Sequence, residues 1–64
     1  MDKALLEYEM KKKNISIGKM CEILGISRSA FYRKCNGLSE FSQGEIKTVM
    51  TALSLESPVD IFFN

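Results

Sequence analysis

The amino-acid sequence predicts an all-α domain of five short helices. Several segments place apolar residues three or four positions apart, which is the spacing of one face of a helix. Serine or aspartate precedes these segments, and glycine or asparagine follows two of them, as is typical of helix ends. No stretch alternates polar and apolar residues over the length of a strand, so no sheet is expected.

The first predicted helix spans roughly residues 3–13, with Asp2 as its N-terminal cap. Its apolar stripe consists of Leu5, Leu6 and Met10. The three lysines at residues 11–13 suit the negative end of the helix dipole. Contact with phosphate by at least one of them is the alternative interpretation.

The second predicted helix runs from about Ile17 to Leu24, with Ser16 as its cap. Met20, Cys21 and Leu24 fall on one face. Gly25 is expected to end the helix, because glycine accepts the left-handed conformation that a sharp chain reversal requires.

The third predicted helix begins after Ser27 and ends near Cys35, with Asn36 and Gly37 as its stop. Phe31 and Cys35 are four residues apart and share its buried face. The opposite face, toward solvent, carries Arg28, Ser29, Tyr32 and Arg33.

The fourth predicted helix has the clearest local signature. Ser42 followed by Glu45 forms a capping box, flanked by Phe41 and Ile46 as a hydrophobic staple. Its buried stripe is expected to be Ile46, Val49, Met50 and Leu53. The short fifth helix has Ser57 as its expected cap and Pro58 at its first position, with Ile61 and Phe62 facing inward.

Length and composition favour one globular domain spanning residues 1–64. No apolar run approaches the roughly 20 residues of a membrane span, and no signal peptide is visible. The chain has no histidine, no phosphate-binding glycine loop and no set of metal ligands. We therefore expect no catalytic residue, no metal, no cofactor, no small-molecule substrate and no membrane contact.

Two cysteines, Cys21 and Cys35, leave two interpretations open. They could pair, but a chain without an export signal is expected to stay in a reducing cytoplasm. In the second interpretation, they are small apolar residues buried in the core.

The net charge of +1 conceals an uneven distribution. Residues 11–34 carry seven lysines and arginines against one glutamate, whereas residues 1–10 and 35–64 are both net acidic. A basic region of this kind is the electrostatic footprint of nucleic-acid binding.

The second and third helices meet at a tight turn built on Gly25. A small residue at Cys21 lets the two helices cross closely, and Ile26 anchors the turn in the core. This arrangement is a helix-turn-helix unit, which holds its second helix clear of the body for entry into a DNA major groove.

The segment "SIGKMCEILGISRSAFYRKCNG" resembles the DNA-binding unit of the Cro and C1-type phage repressors, also called the XRE class. The downstream "SEFSQGEIKTVMTALSL" and "DIFF" resemble small prophage regulators of Gram-positive bacteria. The resemblance covers about residues 5–63 and implies a lambda-repressor-like fold. It also implies a transcription regulator that binds a double-stranded operator as a homodimer, in the cytoplasm of a bacterial host and associated with its nucleoid.

The resemblance implies a role for each matching residue. Bases would be read by Arg28, Ser29, Tyr32 and Arg33. Arginine can donate two hydrogen bonds to O6 and N7 of guanine, which makes these positions chemically suitable. Phosphates would be bound by Ser16, Ile17, Lys19, Ser27, Lys34, Asn36, Ser39, Ser42 and Gln43.

The sequence departs from the resemblance at two places. Many relatives have a glutamine where Ile17 stands, so contact there is expected only through the backbone amide. Relatives often bury an arginine and a glutamate at the positions of Met10 and Cys35, both apolar here. An apolar contact in place of a buried ion pair is often neutral or stabilising.

A protein-interaction module on the same scaffold, such as an antirepressor or an antitoxin, is the alternative function. Its basis is the modest total charge and the apolar C-terminal segment. Phe62 and Phe63 are adjacent, so one of them is expected to be exposed, as a surface residue or as part of a dimer contact.

Overall fold

The computed structural model describes residues 1–63, which form five α-helices and no β-strand. The helices are α1 (Lys3–Lys12), α2 (Ile17–Leu24), α3 (Arg28–Cys35), α4 (Gln43–Leu53) and α5 (Val59–Phe62). The predicted all-α class with five helices is confirmed. The longest helix has 11 residues, and none in the described range is long and apolar enough to cross a membrane.

The first four helices begin at the predicted caps. The side chains of Asp2, Ser16, Ser27 and Ser42 accept hydrogen bonds of 3.0 to 3.1 Å from backbone N–H groups three residues further on. The carboxylate of Glu45 accepts a reciprocal bond of 2.9 Å from the Ser42 N–H, which completes the predicted capping box. Each of these bonds satisfies an N–H group that has no partner within its helix.

Four of the helices are followed by a residue with left-handed backbone. These residues are Asn14, Gly25, Gly37 and Ser54, with φ of 58, 71, 79 and 56°. At Gly25 the paired bonds from Gly25 N to Glu22 O (3.2 Å) and from Ile26 N to Cys21 O (3.1 Å) form a Schellman motif. The predicted role of Gly25 is therefore confirmed, while Asn14 and Ser54 perform the same role without being glycine.

Two predicted helix boundaries were wrong by one residue. The first helix ends at Lys12, with Lys13 as its C-terminal cap. The fifth helix starts at Val59, so Pro58 occupies the cap position and is not the first helical residue. The Ser57 hydroxyl still accepts a hydrogen bond of 3.3 Å from the N–H of Val59, the first residue of the helix.

The core lies where all five helices meet. Its most deeply buried side chains are Leu6, Met20, Val49, Leu53 and Ile61. Met10, Phe31 and the free thiols of Cys21 and Cys35 complete this core. The cysteines are thus small buried residues, as in the second of the two interpretations.

A row of three aromatic rings supports α3 from below. The Phe31 ring meets the Phe41 ring edge to face at a centroid distance of 6.2 Å, and Phe41 meets Phe62 in the same way at 5.4 Å. Such pairs contribute about 0.5–1.5 kcal/mol beyond their buried area. The row connects α3 to α5 through the segment between α3 and α4, so the position of α3 depends on both.

Candidate nucleic-acid interface

The outer face of α3 presents four side chains to solvent. Arg28, Ser29, Tyr32 and Arg33 are all exposed, as the sequence predicted. Phe31 and Cys35 on the opposite face are 3% and 7% exposed. An eight-residue helix is about 12 Å long, and with its side chains it has roughly the width of a DNA major groove. The four exposed residues therefore form one continuous surface of groove size.

The Arg28 side chain lies back across the first turn of α2. Its guanidinium group covers Gly18, and a Cβ built on Gly18 would lie 2.6 Å from Arg28 Nη2. No side chain or carbonyl within residues 1–63 makes a hydrogen bond or ion pair with Arg28. Within residues 1–63 the N–H donors of this guanidinium are not used, so they are available to a bound partner.

The start of α2 provides backbone donors beside Arg28. The Ser16 hydroxyl oxygen binds the Lys19 N–H, which leaves the N–H groups of Ile17 and Gly18 without a partner in the helix. The Ile17 side chain packs against the core, so only its amide is available, as expected from the sequence. The positive end of the α2 dipole and these amides favour a phosphate at this place.

The serine caps can serve two purposes at once. The hydroxyl oxygens of Ser16, Ser27 and Ser42 each accept a backbone hydrogen bond, and all three residues are exposed. A hydroxyl that accepts one bond still has a proton to donate. Each of these side chains can therefore hold its helix and donate to a phosphate oxygen.

Lys34, which the sequence analysis assigned to phosphate, makes two polar contacts within the protein. Its ammonium group lies 2.9 Å from Glu45 Oε1 and 3.0 Å from the Glu40 carbonyl oxygen, and its side chain is only 17% exposed. The Ser42 N–H and the Lys34 ammonium hold the pKa of the Glu45 carboxyl below its usual value. Lys34 therefore joins α3 to the start of α4, and two of its three N–H donors are used within the protein.

The remaining residues of the predicted phosphate set stay on the surface. Ser39 and Gln43 are exposed. Lys19 pairs with Glu22 at 3.7 Å, but both side chains are more than half exposed, so this pair is worth at most about 1 kcal/mol. Asn36 accepts a hydrogen bond of 3.2 Å from the Lys3 ammonium.

Two of the lysines at the end of α1 have different surroundings. Lys12 pairs with Glu9 at 3.3 Å and lies over the Tyr8 ring, so it belongs to α1 itself. Lys11 lines a surface groove together with Ser16, Ile17 and Lys19. Phosphate contact by Lys11, one of the two interpretations of the lysines at residues 11–13, therefore stays a prediction.

The comparison with protein families agrees with this geometry. No curated protein and no solved structure is significantly similar to the chain. A family model does match, and it covers residues 6–62, which include all five helices except the start of α1. The chain therefore belongs to the Cro/C1-type HTH DNA-binding domain family, whose members are regulators of transcription that bind double-stranded DNA.

Proposed function

We propose that the protein is a repressor of Cro type, of phage or prophage origin, that binds a pseudo-palindromic operator as a homodimer. In this proposal α3 enters the major groove, and the regulator acts by occupying a promoter on the DNA of a bacterial cytoplasm. The observation that carries the proposal is the division of α3 into an anchored face and an exposed face. Arg28, Ser29, Tyr32 and Arg33 share that exposed face.

Base reading is assigned to the two arginines first. Either guanidinium can donate two parallel hydrogen bonds to guanine, and each good contact of this kind is worth about 1–3 kcal/mol of discrimination. Ser29 can bond several bases, and the Tyr32 ring, 41% exposed, can contact a thymine methyl group. Phosphate contacts are assigned to the starts of α2 and α4, with Lys11 and Lys19 adding positive charge beside α2.

The homodimer is supported by the apolar surface at the end of the chain. Phe63 is 64% exposed and Val59 is 55% exposed, whereas Phe62 is half-buried against Phe41. A contact between two such surfaces would bury apolar area that is otherwise in water. The longest extent of the domain is 25 Å, so two copies whose centres lie one turn of DNA apart, about 34 Å, would not overlap.

Selection from a random DNA pool, followed by gel shifts across a salt series, tests the proposal. We expect two related half-sites about one helical turn apart. The logarithm of the affinity is expected to fall by about 0.9 per logarithmic unit of salt for each phosphate contacted. A protein that selects no sequence, or whose binding does not depend on salt, contradicts the proposal.

Paired substitutions separate base reading from general charge. Arg28→Ala and Arg33→Ala are each expected to weaken operator binding by about 1–3 kcal/mol and to relax the preference at one base position. Lys47→Ala is the matched control, because it removes one exposed positive charge from α4 and not from α3. Full regulation by the Arg28→Ala/Arg33→Ala double variant would favour a protein-interaction module over DNA reading by α3.

A further inference from the structure

Gly18 is a glycine that the backbone does not require. It is the second residue of α2, and the described glycines with positive φ are Gly25 and Gly37. Alanine stabilises a helix relative to glycine, because glycine loses more conformational freedom on folding. A residue with a side chain would therefore suit the α2 backbone better than Gly18 does.

The space that Gly18 leaves open is filled by Arg28. A Cβ on Gly18 would lie 2.6 Å from Arg28 Nη2, 3.5 Å from Cζ and 3.8 Å from Nε. Real Cβ atoms almost never lie within 3.0 Å of another heavy atom, so Arg28 would have to move. The displaced atom is the far end of a flexible and exposed side chain, so this movement would not disturb the core.

We propose that Gly18 is a positioning residue for Arg28 and that it thereby helps to determine which operator the protein prefers. The inference rests on the proposed function. Gly18 lets the guanidinium group of α3 lie against the first turn of α2, next to the N–H groups assigned to phosphate. This contact is what limits the freedom of a long side chain that has no hydrogen-bond partner within residues 1–63.

The consequence is a restriction of the Arg28 conformations available for DNA. A side chain held near its working position loses less conformational entropy on binding than one that is free in solvent. With any larger residue at position 18 the guanidinium is pushed away from α2. The protein then keeps the same charge but presents it from a different place.

The test is a double-mutant cycle on operator binding, with Gly18→Ala, Arg28→Ala and the double variant on the DNA selected by the unmodified protein. Gly18→Ala is expected to weaken binding about threefold to tenfold, the size of coupling between contacting residues. The salt slope is expected to stay unchanged, because no charge is removed. In the Arg28→Ala background the same Gly18→Ala substitution is expected to have no effect on affinity.

Thermal unfolding of the same variants separates positioning from folding. Gly18→Ala is expected to keep or raise the melting temperature. Gly44→Ala is the matched control for this measurement, because a Cβ there meets only Ser42 Oγ at an ordinary 3.9 Å. A lower melting temperature for Gly18→Ala, with Gly44→Ala unaffected, would make Gly18 a structural residue and overturn the inference.

The binding data distinguish the two proposals. Unchanged affinity in Gly18→Ala, or an equal loss in the presence and absence of Arg28, overturns the role of Gly18 and leaves operator binding intact. Failure of the unmodified protein to select any DNA overturns the proposed function instead.

Discussion

The ion pair between Lys34 and Glu45 is the contact by which α3 and α4 are expected to stabilise each other. The two charged atoms are 2.9 Å apart, and the side chains are 17% and 18% exposed. Fully exposed pairs contribute about 0.2–1 kcal/mol, and a hydrogen bond to a charged group contributes about 1.5–3 kcal/mol. Because this pair is mostly but not fully shielded from water, we expect a coupling energy of about 1 kcal/mol.

A double-mutant cycle with Lys34→Met and Glu45→Gln measures this coupling. Methionine keeps most of the apolar length of the lysine, and glutamine can still accept the capping bond from the Ser42 N–H. Each variant is unfolded with urea at pH 7, and the free energies of unfolding are compared. In a domain of this size 1 kcal/mol corresponds to a change of about 4–8 °C in Tm. A coupling energy below about 0.3 kcal/mol, the usual limit of additivity, would refute the assigned role.

Acid adds an independent test of the same contact. The Ser42 N–H and the Lys34 ammonium lower the pKa of Glu45 from its ordinary 4.5 in the folded protein. A lowered pKa contributes stability that is present above the unfolded pKa and is lost as the pH falls through the folded pKa. The stability difference between the unmodified protein and Glu45→Gln should therefore be constant above about pH 5.5 and shrink below 4.5. A difference that does not change between pH 6 and pH 3 would contradict this account.

Three further predictions concern single residues outside this pair. Burial raises the pKa of the Cys35 thiol from 9.0 to about 11, so its contribution to stability should be complete below pH 9 and be lost between pH 9 and 11. Urea unfolding of the unmodified protein and of Cys35→Ala across that pH range measures this contribution. A difference between their free energies of unfolding that does not change with pH would contradict the prediction. Ser54→Gly should stabilise the fold by about 1 kcal/mol, because Ser54 has the left-handed backbone that costs a residue with a side chain; equal or lower stability in urea would count against this. Phe63→Ser should weaken self-association in sedimentation without lowering the monomer's Tm, and an unchanged dimer would exclude Phe63 from the interface.

The parts of the fold that the sequence predicted well depend on interactions between near neighbours. A cap such as Ser42 and its partner Glu45 are three residues apart, so the chemistry is visible in a short window. The same holds for Gly25, because a glycine favours the left-handed conformation of this turn without any contact to distant residues. The exposed face of α3 also followed from local spacing, because Phe31 and Cys35 define its buried side.

The parts that the sequence did not predict depend on contacts between distant residues. The ion pair of Lys34 with Glu45 was not predicted, because the sequence near Lys34 carries no signal that a glutamate 11 residues later will bind it. The contact between Gly18 and Arg28 was missed because it depends on the angle at which α2 and α3 cross. Ser54 was not predicted as the residue after α4, since serine usually caps the other end of a helix.

The anchoring of α3 explains how so small a domain can expose the whole outer face of this helix. An isolated helix of eight residues is not stable in water, so α3 must be held by its surroundings. Ser27 caps its start, Phe31 packs beneath it, and Lys34 joins its end to α4. None of these three contacts uses Arg28 or Arg33. If α3 reads DNA as proposed, substitutions on its outer face are expected to change the preferred DNA sequence while the free energy of unfolding stays within about 0.5 kcal/mol. Under the proposed function, stability and specificity reside on opposite sides of one helix, and such a domain could acquire a new operator without losing its fold.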